Sequence, residues 1–259
     1  MPVEIIMRKE ITLKSENITL RGQLFTPDSG GKLPAVCVCH GIPSGKTSPV
    51  SAGYPELAEM LCRQGFVALI FNFRGTGASE GNFDIAGWAK DLQSTIDYLW
   101  SESPVDRKRI YLLGFSAGAA VSIYVASQDR RIAAVASCAS PADFEISPDK
   151  MQATLGYFRN LGIIRDENFP ESVDSWFAGF SQVRPEDCVD KISPRPLLVI
   201  NSRNDEVVPV SHAYRLYEKA CEPKKLVILE GNDHRLRLNE EAMSVVIDWV
   251  KTRESASST

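Results

Sequence analysis

Apolar and polar positions along the chain fall into two alternating rhythms. Short, nearly unbroken apolar runs occupy residues 34–39, 67–73, 110–115, 132–138, 196–201 and 225–230. Runs of that length and purity are those of parallel strands covered on both faces. Two leading segments, 4–13 and 17–26, read as strands joined by a hairpin turn at Ser15-Glu16-Asn17. Helical spacing fills the intervals. Residues 56–64 stop at Gly65, a helix with its C-terminal glycine. Residues 85–100 place Ile85, Trp88, Leu92, Ile96 and Leu99 on one face, and a last helix over 239–251 turns Met243, Val246, Ile247 and Val250 inward. Strand–helix repetition of this kind specifies a doubly wound α/β sheet whose site lies at the carboxyl ends of the strands.

The rhythm breaks once, from Pro141 to Phe180. Seven aromatic side chains crowd these 40 residues, about twice their even share. The segment reads as a small cap inserted after the sixth strand, at approximately 141–180, over a single domain spanning 1–259. Most of its aromatics pack the cap onto the body. Phe158, Trp176 and Phe177 are the candidates for an apolar or aryl substrate pocket, since ligand sites are mostly apolar.

Chemistry concentrates at Gly114-Phe115-Ser116-Ala117-Gly118. The apolar run 109–113 precedes it and the small, apolar run 119–126 follows, so a strand turns into a helix through Gly-x-Ser-x-Gly. Gly114 and Gly118 allow so sharp a turn, and the Ser116 hydroxyl is pushed out beside the positive end of a helix. The alternative is a structural turn serine, but the flanking strand and helix favour a nucleophile.

A serine needs a base, itself oriented by a third group. The chain has three histidines. His40 ends a strand, and His212 opens an amphipathic helix and is expected on its surface. Only His234 follows a strand, in a loop downstream of the serine. Asp205, just past the strand 196–201, is the preferred carboxylate over Glu206, with Asp187, Asp190 and Asp233 as weaker candidates. It would accept the histidine N–H and support the imidazolium.

With these motifs in place the chain resembles the α/β-hydrolase family over roughly residues 17–250. The resemblance rests on His40-Gly41, on Phe73-Arg74-Gly75-x-Gly77-x-Ser79-x-Gly81, on the elbow at Ser116, and on the Asp205 and His234 loops. It is similar above all to compact esterases and feruloyl-esterase-like hydrolases, with dienelactone-hydrolase and serine-aminopeptidase branches nearby. The resemblance implies a mostly parallel eight-stranded sheet flanked by helices. It also implies an oxyanion hole made by the backbone N–H groups of Ile42 and Ala117. Pro43 has no N–H, which leaves Ile42 as the donor in its loop.

The remaining features narrow the field. A net charge of −4 with scattered basic residues argues against nucleic acid, and Arg107-Lys108-Arg109 reads as a solvated loop. No run of 18 apolar residues occurs, so no membrane partner is expected. The amino terminus lacks the apolar core of a signal peptide, and six cysteines then suggest reduced thiols in the cytoplasm. Cys37-Val38-Cys39-His40 has the wrong spacing for zinc or haem, so no metal and no organic cofactor are expected. The glycine loop 73–81 lacks the Lys-Ser/Thr of a phosphate loop, and Arg74 is assigned a structural role. The expected activity is cleavage of a small-molecule ester. Amide or thioester cleavage by the same triad and a non-catalytic binding role are the alternatives, and a homodimer is left open.

Overall fold

The computed structural model describes residues 6–43, 53–144, 146–231 and 233–256. Eight strands form one sheet: β1 (Ile6–Ser15), β2 (Ile18–Pro27), β3 (Leu33–Cys39), β4 (Val67–Phe71), β5 (Val105–Phe115), β6 (Ile132–Cys138), β7 (Leu197–Ser202) and β8 (Lys224–Leu229). Their order is β1-β2-β4-β3-β5-β6-β7-β8. The β1–β2 and β2–β4 pairs are antiparallel and all later pairs are parallel. Glu16 takes a positive φ of 53° in the β1–β2 turn, where the sequence places the hairpin.

Among the described residues seven helices cover the sheet: α1 (Tyr54–Arg63), α2 (Ile85–Ser101), α3 (Ala117–Gln128), α4 (Met151–Asn160), α5 (Val173–Gln182), α6 (Val210–Lys219) and α7 (Glu240–Ala256). Side chains alternate across each strand, so β3 sends Cys37 and Cys39 into one layer and Val36 and Val38 into the other. The first layer meets α2, α3 and α6, with α4 and α5 added from the segment between β6 and β7. The second meets α1 and α7. Helix α3 is buried on nearly all sides, which explains why its sequence shows no polar stripe.

Two expectations need correction. β5 begins at Val105, so Arg107-Lys108-Arg109 belongs to a strand rather than to a loop. Leu33 of β3 pairs with Val105, and an irregularity before Ala35 shifts the register, which extends the strand beyond its apolar part. His212 is buried, not on the surface of α6, because its ring turns toward the loop after β6. Between Phe180 and β7 the chain makes 3-10 turns at Pro185–Asp187 and Val189–Ile192.

Candidate active site

The site is assembled from strand exits. β5 ends at Phe115 and α3 starts at Ala117, leaving Ser116 alone to turn the chain at φ 53° and ψ −127°. Such a conformation is strained for any residue with a Cβ. It is held by the Ser116 N–H bond to Cys138 O (2.9 Å) and by Ala119 N–H and Ala120 N–H on Ser116 O (2.9 and 3.2 Å). A Cβ on Gly114 would strike the backbone of Ala119, and one on Gly118 would strike the carbonyls of Cys39 and His40. Both elbow glycines are therefore required by close backbone approach.

The Asp205 loop follows β7. Asp205 is buried, and its Oδ1 accepts Val207 N–H (2.8 Å) and Val208 N–H (2.9 Å). Its Oδ2 accepts His234 Nδ1–H at 2.8 Å. That bond leaves His234 Nε2 as the acceptor for the Ser116 hydroxyl, 3.1 Å away. Ser116, His234 and Asp205 thus form one continuous hydrogen-bonded chain, with the histidine ring partly open to solvent and the carboxylate sealed. The structure brings together the three residues singled out in the sequence.

On the other side of the serine stands the loop after β3. Gly41 lies against Ser116, and Ile42 is the next residue of that loop. Ala117 occupies the first turn of α3, where a backbone N–H has no intrahelical acceptor. His40 is buried among the rings of Tyr54, Phe73 and Trp88. Its Nδ1–H donates to Gly41 O (2.7 Å), so its Nε2 accepts Phe73 N–H (3.2 Å). Burial lowers its pKa to about 4, which keeps the ring neutral at physiological pH. His40 thereby braces the loop that carries Ile42.

Arg74 has the structural role assigned to it. Its guanidinium pairs with the buried Asp91 (2.7 Å) and with Glu16 (3.1 Å). Trp88 Nε1–H donates to Arg74 O (3.1 Å). Gly87 leaves the room this guanidinium occupies, since a Cβ there would lie 2.5 Å from Arg74 Nη1.

Of the cap aromatics, Phe158 and Trp176 are both buried in a cluster with Phe83 and Phe180. Trp176 Nε1–H donates to Phe83 O (3.0 Å), which ties α5 to the body. Phe177 is only partly buried at the edge of that cluster. Arg165 adds a second fastening, with bonds to Ser79 O and Gly77 O (both 2.9 Å). Sequence reasoning missed Arg165, because nothing in its surroundings marks it as different from any exposed cation.

Cys37 and Cys39 pack into the core as free thiols. Among the described residues no group of three or more His, Cys, Asp or Glu side chains could hold a metal ion. Likewise, no described helix is long and apolar enough to cross a membrane.

A serine on a strained turn at the carboxyl edge of a largely parallel sheet, facing a histidine and an aspartate from the last two strand exits, is the arrangement of an α/β hydrolase. Fold and site place the chain in that class. Within it, the chain belongs to the X-Pro dipeptidyl-peptidase (S15) family, whose model matches residues 16–172. Similar proteins include the uncharacterized protein YfhR of Escherichia coli O157:H7, 29% identical over 212 residues that cover 81% of this chain and 67% of the relative. Polyketide transferase ATR5 of Stachybotrys chlorohalonatus is 24% identical over 275 residues, covering 89% of this chain and 91% of the relative. Among solved structures, the α/β hydrolase GrgF from Penicillium superposes with a TM-score of 0.77 at 22% identity, covering 95% of this chain and 98% of its own. The Pyrococcus furiosus esterase Pf2001 gives 0.70 at 26% identity, covering 95% and 91%.

Proposed function

We propose that the protein is a serine hydrolase that cleaves carboxylic esters of small to medium, largely apolar or aryl substrates. The observation that carries this reading is the chain Ser116 Oγ–His234 Nε2 (3.1 Å) and His234 Nδ1–Asp205 Oδ2 (2.8 Å). Ser116 attacks the carbonyl carbon while His234 takes the hydroxyl proton, and Asp205 stabilises the imidazolium so formed. The N–H groups of Ile42 and Ala117 receive the developing oxyanion, each worth about 3–4 kcal/mol in the transition state. His234 then protonates the departing alcohol, leaving an acyl group on Ser116. It next deprotonates the water that releases the acid. No cofactor enters these steps. Phe177, at the open edge of the cap cluster, is the best placed of the three pocket candidates to touch the substrate. Six cysteines, five of them buried, suit a reducing location, and the proposal places the protein in the cytoplasm.

The family match supports a second reading, cleavage of a small peptide amide by the same residues. An aminopeptidase needs a carboxylate for the substrate ammonium. Near the cap, Asp143 and Glu186 are engaged by Arg184 and Arg215, whereas the exposed Asp149, Asp166, Glu167, Glu171 and Asp174 keep the peptidase reading open. Both are tested by hydrolysis of a nitrophenyl ester series, acetate to palmitate plus an aryl ester, beside a proline-containing dipeptidyl nitroanilide. Ester turnover that disappears in Ser116→Ala is the expected result, with Asp205→Asn slower by roughly 10⁴-fold. Turnover of the nitroanilide alone would replace the ester reading with the peptidase one.

A further inference from the structure

The acid and base loops leave adjacent strands, β7 and β8, and the last two residues of β7 fasten both. Asn201 and Ser202 are fully buried, although they end a strand at the edge of the site. Side chains of neighbouring strand residues point to opposite faces, and here each direction has its own task. Asn201 closes the acid loop upon itself: its Nδ2–H donates to Val208 O (3.1 Å) and its Oδ1 accepts Ser202 N–H (2.9 Å). Between those two anchors lie Asp205 and the N–H groups of Val207 and Val208 that hold Asp205 Oδ1.

Ser202 reaches the other loop. Its Oγ–H donates to Asp233 O at 2.7 Å, and Asp233 is the residue before His234. Its own carbonyl accepts Asp205 N–H at 3.4 Å. One residue is therefore bonded to the aspartate on its main chain and to the neighbour of the histidine through its side chain. Asn204 N–H on Gly231 O (2.9 Å) and Arg203 N–H on Leu229 O (2.9 Å) run parallel to this tie, but both are main-chain bonds that any residue would supply. Arg203 also reaches Glu230 through its side chain (2.8 Å), but both groups are exposed, and the Ser202 hydroxyl is the buried side-chain tie.

We propose that Ser202 is a positioning residue for the triad: its buried hydroxyl sets the spacing between the Asp205 and His234 loops, and hence the length of the His234–Asp205 bond. This rests on the triad reading above. Ser202 touches no reacting atom. It acts by holding the peptide beside His234, so that the imidazole keeps Nε2 aimed at Ser116. Misplacement of reacting groups by as little as 1 Å can cost about 10²-fold in rate, and loss of one tie from several should cost about tenfold.

The test compares wild type, Ser202→Ala and Thr95→Val. Thr95 carries an equally buried hydroxyl, on Asp91 O (2.8 Å) in α2, away from the site. Each protein is followed by thermal melting, by kcat and KM on a short nitrophenyl ester, and by the far-downfield proton NMR resonance of a histidine N–H bonded to a carboxylate. In Ser202→Ala, kcat should fall about tenfold with KM unchanged, and the His234 Nδ1–H resonance should move upfield or broaden. Thr95→Val should change melting alone. A Ser202→Ala protein that keeps both kcat and the resonance, whatever its melting temperature, overturns the proposal. The resonance is read without substrate. A wild type inactive on every ester would thus sink the ester reading while the spectra still decide the role of Ser202.

Discussion

Gly41 lies so close to Ser116 that a Cβ on it would sit 2.8 Å from Ser116 Cβ and 3.0 Å from Phe115 O. The loop after β3 and the nucleophile elbow are in direct contact, and their spacing is set by the absence of a side chain. Gly41→Ala must push either the elbow or the donor at Ile42 out of place. Its kcat on a nitrophenyl ester should fall by roughly 10²-fold, with a melting temperature within a few degrees of wild type. Full activity in the alanine variant would show that the loop does not carry the oxyanion donor.

Buried His40 makes the fold sensitive to acid. Its folded pKa is about 4, below the value near 6.5 of an exposed histidine. Below pH 6.5 the unfolded chain takes up a proton that the folded chain refuses. The contribution of neutral His40 is thus complete above pH 6.5 and is lost as pH falls toward 4, by about 3 kcal/mol at most. Urea unfolding at pH 7, 5.5 and 4.5 should show this decline. His40→Gln should flatten its slope, though it starts from lower stability.

The Arg74–Asp91 pair is a second buried charge arrangement, with Asp91 fully enclosed and also bonded to Arg74 N–H (2.8 Å). Removing the cation leaves an uncompensated carboxylate. Arg74→Ala should cost about 3–5 kcal/mol in a denaturant titration, whereas KM for a small ester should stay the same. A large rise in KM with unchanged stability would instead make Arg74 a substrate contact.

The cap aromatics divide by burial. Trp176→Ala and Phe158→Ala empty space in a packed cluster and should each lower stability by about 3–5 kcal/mol. Phe177→Ala should cost less stability and shift the preferred acyl length in the nitrophenyl series. Equal stability losses in all three, with one unchanged chain-length profile, would take Phe177 out of the pocket.

Much of this was legible in the sequence, for reasons that can be named. Strands β3, β4, β6 and β7 are buried on both faces, so apolar runs mark them almost to the residue. Ser116, Asp205 and His234 stand at strand exits, where order along the chain and strand ends identify them. What escaped notice depends on long-range pairing. The polar start of β5 is joined to β3 only at Val105, opposite Leu33, before the register jumps to Ile110, and no local pattern announces that pairing. His212 looks like a surface residue until Ala142, 70 residues earlier, donates its N–H to the ring (3.1 Å). Ser202 ends an apolar run like many strand-end serines, and its partner Asp233 lies 31 residues onward.

His234 and Ser116 are separated by 118 residues, yet they meet within a single hydrogen bond. No local segment contains both halves of this hydrogen-bonded pair. Closing a loop of that size carries an entropic cost that nearby helices and the β1–β2 hairpin never meet. On refolding from urea, helical circular dichroism should therefore return before hydrolase activity, which must await docking of β7 and β8 onto β6. Turnover would then report completion of the sheet at its far edge, a stricter criterion for nativeness than secondary structure.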